Sequence, residues 1–207
     1  MSNEVKKEKV QMDPKYIAEL TVKLFATCVI VAGLLGVVNM VTAPNIAAIN
    51  KAKTEAAMKA VVVDADNSYF SDALEISPEM AAAAAAAGGT VTEFYEVNDG
   101  VVAVGSAMKI VSSGSQGSIE MMVGLDLEGN VTGVSIVKHS ETAGIGTKVM
   151  ENEPNAAGTP FLDQFKGMSG SVEVGSNVTA ITGATVSSKG VTAGVNAAIA
   201  AVNSIIG

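Results

Sequence analysis

Thr182, Thr185, Ser187 and Ser188 crowd around a Gly183-Ala184 pair near the end of a 207-residue chain. Glycine and alanine leave the backbone uncovered, so a bulky ligand can come close to it. Hydroxyls ahead of an apolar helical pattern have two common uses. They cap the helix that follows, or they help hold an anion at its N-terminal N–H groups. Spacing alone leaves both open. Other chemistry is easier to exclude. One cysteine and one histidine cannot make a Cys₂His₂ or Cys₄ zinc site. Cys28 has no internal disulfide partner. No Ser-His-acid constellation is present, so no catalytic residue and no metal ligand is assigned.

A second stretch, residues 139–148, reads His-Ser-Glu-Thr-Ala-Gly-Ile-Gly-Thr-Lys. A charged, hydroxylated strand end runs into two glycines, which makes a loop where backbone can approach a ligand. Taken as residues alone, Glu141 is a solvated loop acid and Ile145 is ordinary core. His139 stands alone at a strand end and reads as structural. Asp126 fits a turn edge, since no second carboxylate keeps a fixed spacing with it.

These loops need elements to hold them. Residues 91–97 alternate loosely, Asn98-Asp99-Gly100 supplies a hairpin turn, and 101–111 return. Gly114-Ser115-Gln116-Gly117 turns into a strand over 119–127. Glu128-Gly129-Asn130 turns again into 131–138. Helices flank this meander. The alanine-rich stretch 79–87 stops at Gly88-Gly89, residues 160–167 form one apolar-anchored helical turn, and 187–206 form a terminal amphipathic helix. A turn with a short helix is expected over 64–78, and a short strand over 172–174. The class is α+β, an antiparallel meander flanked by helices and preceded by one N-terminal transmembrane helix.

That last helix follows from residues 24–42, which are 19 residues without a charge, enough to cross about 30 Å of hydrocarbon. Pro44 follows the span, and residues 45–63 read as a second helix leaving the membrane. The apolar run exceeds a signal-peptide core of roughly 7–15 residues, so an uncleaved anchor is expected. Lysines at 6, 7, 9 and 15 place the N-terminus in the cytoplasm and the main domain outside it. Up to Thr42 five lysines oppose four acids; beyond it eight oppose seventeen. An acidic soluble part argues against nucleic acid as a partner. The expected division is a cytoplasmic tail over 1–16, an anchor over 17–43, a helical linker region over 44–90 and the main domain over 91–207.

Ile181-Thr182-Gly183-Ala184-Thr185 resembles the flavinylation motif of the FMN-binding domain family. Its members include the G subunit of the Rnf electron-transport complex and the C subunit of the sodium-pumping NADH:quinone reductase. The resemblance extends, in the same order, to the N-terminal anchor, to Gly114 through Asp126 and to the 139–148 loop, and covers most of 101–207. The loop resembles a Glu-Thr-Pro-Gly-Leu-Gly signature with Ala143 for Pro and Ile145 for Leu. Ser115 replaces a tyrosine common in the glycine turn, and Thr179 stands where the family usually has an acid.

The resemblance implies FMN joined to Thr185 by a phosphoester, transferred from FAD by a separate flavin transferase. An alcohol is a poor nucleophile without a base, and no histidine lies near Thr185 in sequence. Thr182, Gly183 and Ala184 would shape the phosphate end. Glu141, Thr142, Gly144, Ile145 and Gly146 would line the ring. The implied function is a membrane-anchored electron carrier of an Rnf-type complex, working with other membrane subunits to couple ferredoxin:NAD oxidoreduction to Na⁺ or H⁺ translocation. The alternatives are a component similar to the C subunit of the quinone reductase, or an anchored extracytoplasmic binding module without flavin.

Overall fold

A computed structural model describes residues 13–64 and 67–206. Most of the expected 1–16 tail lies outside the described residues. The chain divides into two compact units, with the boundary between Ile49 and Asn50.

The first unit is helical. Helix α1, Pro14–Ala60, passes without a break through Pro44, where two separate helices were expected. Proline there removes one hydrogen bond donor, leaving the Met40 carbonyl without its usual partner. Thr21, Thr27 and Thr42 each return a hydroxyl proton to the carbonyl four residues back. Leu24, Phe25, Ile30, Leu34, Leu35 and Met40 are all exposed along it. A helix apolar on every side belongs in an apolar medium.

The second unit is built on a five-stranded antiparallel sheet in the order β1-β2-β3-β4-β5. The strands are β1 Ser68–Phe70, β2 Gly89–Asp99, β3 Val102–Ser113, β4 Ser118–Asp126 and β5 Val131–His139. Helix α2, Pro78–Ala86, starts with Pro78 at its first turn and with Ser77 Oγ accepting from Met80 N at 3.2 Å. Helix α4, Thr185–Ile206, is the longest element packed in this unit. Among the described residues of 64–78 a turn is present at Asn67 but no short helix precedes α2; β1 occupies part of the segment, paired with the outer end of β2. Residues 172–174 do not form a strand, and only an isolated parallel bridge links Val174 to Val178.

Alternation along β3 and β4 sends side chains to two cores. On one face Met108, Ile110, Met121, Val123 and Leu125 meet Met80 and Ala84 of α2 and Val191, Val195, Ala198 and Val202 of α4. On the other face Ala107, Met122, Val97 and Val137 meet Ala57, Met58 and Val61. Phe161 and Phe165, fully buried and edge-to-face at 5.5 Å, close the first core below β5. With few aromatics in the chain, methionine and valine fill the rest.

Candidate functional site

The site forms where the β3–β4 turn, the segment after β5 and the start of α4 come together. Its last approach is held by Gln164, whose side-chain amide pairs with the backbone of Thr179. Oε1 accepts from Thr179 N at 2.9 Å and Nε2 donates to Thr179 O at 3.1 Å. The Thr179 side chain is exposed, so this contact is indifferent to what the side chain is.

Ala184 N donates to Ile181 O at 3.0 Å and closes a turn. Its third residue, Gly183, has φ +83°. A tight turn of this kind requires a left-handed residue there, and glycine adopts it without strain. Ile181 and Ala184 anchor the turn in the core, while Thr182 and Gly183 face out. Helix α4 then begins at Thr185, two residues earlier than expected, because its N-cap is Ala184, whose carbonyl accepts from Ser188 N at 2.9 Å.

Alanine has no side-chain oxygen with which to cap. The neighbouring hydroxyls are directed elsewhere. Ser188 Oγ accepts from Ile181 N at 3.3 Å, and Ser187 Oγ donates to Glu141 Oε2 at 2.6 Å. Among the described residues, the N–H groups of Thr185, Val186 and Ser187 meet no acceptor from the chain. An uncapped helix N-terminus with free N–H groups favours an anion. The Thr185 side chain is exposed there.

Glu141 links the three segments. It is 8% exposed, not solvated. Oε1 accepts from Ser115 N at 2.7 Å and, more weakly, from Gln116 N at 3.4 Å. Oε2 takes the Ser187 proton, and Glu141 N donates to His139 Nδ1 at 3.3 Å. A Cβ at Gly114 or at Gly146 would overlap a Glu141 oxygen, so both positions need glycine for this carboxylate to fit. The loop that follows is tied to itself. Gly144 N donates to Thr147 Oγ1 at 2.9 Å, and Ile145 N and Thr147 N donate to Thr142 O. It ends in the short helix α3, Thr147–Met150.

The result is a cleft of about 190 Å³. Seven of the nine residues expected at the site line it: Glu141, Thr142, Ile145, Gly146, Gly183, Ala184 and Thr185. Thr182 and Gly144 do not; both sit on the exposed outside of their turns. Three further walls come from Ser115, Val186 and Ser187. Their signal was present but faint, a serine in a glycine turn and a hydroxyl read as a cap. Ile145 is 53% exposed and Val186 60% exposed, so Ile145 is a rim residue and not core. A hollow of similar size walled by Val97, Val104 and Leu125 lies toward the opposite end of β3 and holds none of the site residues.

Residues 114–200 match the FMN-binding domain. The chain is 32% identical over 204 residues to the G subunit of the Na(+)-translocating ferredoxin:NAD(+) oxidoreductase complex of Acetobacterium woodii, spanning 93% of this chain and 95% of that one. The chain belongs to this G-subunit family. A second relative, the G subunit of the proton-translocating ferredoxin:NAD(+) oxidoreductase complex of Clostridium ljungdahlii, is 32% identical over 122 residues, 56% of this chain and 62% of that one. Among solved structures, NqrC of Shewanella oneidensis aligns over 66% of this chain and 64% of that one, with 19% identity and a TM-score of 0.40. The whole of the cleft falls inside the span matched by the FMN-binding domain.

The residues of the cleft fit such a cofactor. A phosphoryl group suits the open N–H groups at the start of α4. Ile145 and Val186 offer apolar surface at the rim. At about 190 Å³ the cleft is smaller than the roughly 300–1,000 Å³ of pockets that enclose a ligand of drug size. A ring seated here would remain partly outside.

Proposed function

We propose that this chain is the flavin-bearing electron carrier of an ion-translocating ferredoxin:NAD(+) oxidoreductase complex, with FMN held on Thr185 through a phosphoester. One observation carries the reading. Thr185 is an exposed hydroxyl on the first turn of an uncapped helix, at the rim of the cleft formed with the 141–146 loop. The relatives from Acetobacterium woodii and Clostridium ljungdahlii supply the complex.

The attachment needs a second protein. Among the described residues the only carboxylate in the cleft wall, Glu141, is committed to Ser115 and Ser187, so the wall described offers no free base to the threonine. In the proposed step Thr185 Oγ bonds to the phosphorus on the FMN side of FAD. The pyrophosphate P–O bond breaks, AMP leaves, and a base on a flavin transferase takes the hydroxyl proton. Bound FMN supplies the redox chemistry. The chain's own contribution is positional: the Gly183 turn leaves Thr185 accessible, the N–H groups of α4 neutralise phosphate charge, and Ile145 and Val186 bracket the ring. A covalent tether keeps the effective concentration of the cofactor high, so a shallow cleft suffices. Thr182 and Gly144 then flank the attachment turn and the loop and do not touch the ring.

The other subunits of the complex are the partners that would meet the exposed ring edge. The division into tail 1–16, anchor 17–43, linker 44–90 and flavin domain 91–207, with the N-terminus cytoplasmic and the flavin domain outside, completes the proposal; lysines ahead of the apolar span support it. The test is intact mass and in-gel fluorescence under denaturing conditions, on protein from its native host. A mass increase of one FMN less one water, on the peptide containing Thr185 and lost in Thr185→Val, is expected. A fluorescent Thr185→Val chain would overturn the site. An unmodified wild-type chain would favour a flavin-free binding module and make the missing acid at Thr179 the first place to look.

A further inference from the structure

We propose that Lys189 is the counter-ion of the phosphoryl group on Thr185, an inference that rests on the covalent reading above. The first turn of α4 contains no acid. A helix N-terminus carries a partial positive charge, so acids are favoured and cations disfavoured near it. Here the only ionisable side chain in the first two turns of α4 is a lysine, the sign the helix opposes. That placement is unfavourable in the bare chain and favourable once an anion sits at the helix end.

Geometry directs the ammonium to that anion. Thr185 and Lys189 are four residues apart and both exposed, so they share one face of α4. Helical side chains lean toward the N-terminus, which carries the lysine stem back over Thr185. No acid competes for it. Among the described residues no carboxylate lies within 4 Å of Lys189, as is also true of Lys53, Lys59 and Lys148, whereas Lys109, Lys138 and Lys166 of the same unit each have one. Glu141, the only acid of the cleft wall among the described residues, is committed to Ser115 and Ser187. What sets Lys189 apart from the other three lysines without an acid beside them is its place, one turn after Thr185 on the same helix. A phosphodiester keeps one ionised oxygen at neutral pH, and lysine meets it as a point charge.

The experiment compares Lys189→Gln in two forms of the full-length chain in detergent, one made with the flavin transferase and one without. Melting is followed by calorimetry at low salt. In the unmodified chain the substitution removes an unfavourable charge and raises Tm by about 1–3 °C; in the flavinylated chain it removes the counter-ion and lowers Tm by about as much. Both shifts shrink at high salt. Opposite signs in the two forms support the proposal, because a lysine that only packs would shift both the same way. Equal signs, or no shift in the flavinylated form, overturn it. Intact mass of the wild-type chain separates the two failures. If that mass shows no FMN the covalent reading falls and this inference with it; if FMN is present and the signs are equal, only the Lys189 assignment falls.

Discussion

Two carboxylates of this chain collect hydrogen bonds in opposite ways. Asp126, where β4 turns into β5, accepts from Glu128 N at 2.9 Å, Asn130 N at 2.8 Å and Asn130 Nδ2 at 2.9 Å. Every donor lies within four residues. Those bonds outweigh partial burial and hold its carboxyl below the usual value. Glu141 accepts from Ser115 N and Ser187 Oγ, which are 26 and 46 residues away. Asp126 closes a turn. Glu141 decides where three separate segments stand, and the cleft is the space between them. The same functional group is therefore a local device at one end of the sheet and an assembly device at the other.

The strongest way to break that contrast is Glu141→Ala. It strands the buried Ser187 hydroxyl, at about 1–3 kcal/mol, and frees the N–H of the exposed Ser115 to water at a smaller cost. We expect about 3 kcal/mol of lost stability, seen as a drop in Tm of about 2–4 °C per kcal/mol. Covalent flavin should fall with it, because the loop and α4 lose their common anchor. Glu141→Gln sharpens the test. Its carbonyl still accepts from Ser115 N, and its amide can donate to Ser187 Oγ, so most of the stability should return. If the glutamine variant is as unstable as the alanine variant, the charge matters more than the geometry.

Gly146→Ala should rank next. The added carbon overlaps Glu141 Oε2 and comes close to Ser187 Oγ, and overpacking of this kind costs about 1–3 kcal/mol. Unlike Glu141→Gln, it should also lower the extent of flavinylation, read by intact mass. Asp126→Ala ranks lower, at about 1 kcal/mol, since its partners stay in reach of water at a surface turn. It should leave flavinylation unchanged. A loss of flavin in Asp126→Ala would deny that the two ends of the sheet are independent.

Local devices are also the ones a sequence displays. The Asp126 turn, the two hairpin turns and the strands β2 through β5 rest on neighbours within a few residues, and all were legible; the Ser77-Pro78 start of α2 is as local, but the alanine run drew the expected start to Glu79. The three residues of β1 are too few to alternate, and they are a strand only because the end of β2 accepts them. The start of α4 was misplaced by two residues because its hydroxyls looked like caps, when Ser187 and Ser188 are spent on Glu141 and Ile181. Glu141 itself looked like a solvated acid. Nothing near it in sequence shows that Gly114 and Gly146 were left bare to admit it. Resemblance to a family grouped loops that the structure brings together, and the long-range hydrogen bonds supply the reason they meet.

The smallest effects come from titration, and they also divide the molecule. Glu93 is buried enough to resist ionising, but hydrogen bonds from Tyr95 and Lys109 and the lysine charge outweigh this and hold its carboxyl low. Tyr95 is pushed up to about 12, first by burial and then by the bond to Glu93. A lowered carboxylate adds stability above its unfolded value, 4.5 for Glu93 and 3.8 for Asp126, and that stability is lost as pH falls through the folded value. A raised tyrosine adds stability below 10.0 that is lost as pH climbs toward about 12. Urea midpoints of the full-length chain should therefore be level between about pH 5 and pH 10 and fall on both sides. Tyr95→Phe should flatten the alkaline side and weaken the acid side, since Glu93 loses a donor. Asp126→Asn should weaken the acid side alone. An alkaline fall that survives in Tyr95→Phe would have to come from another group, and the coupling between Glu93 and Tyr95 would no longer account for the upper limit.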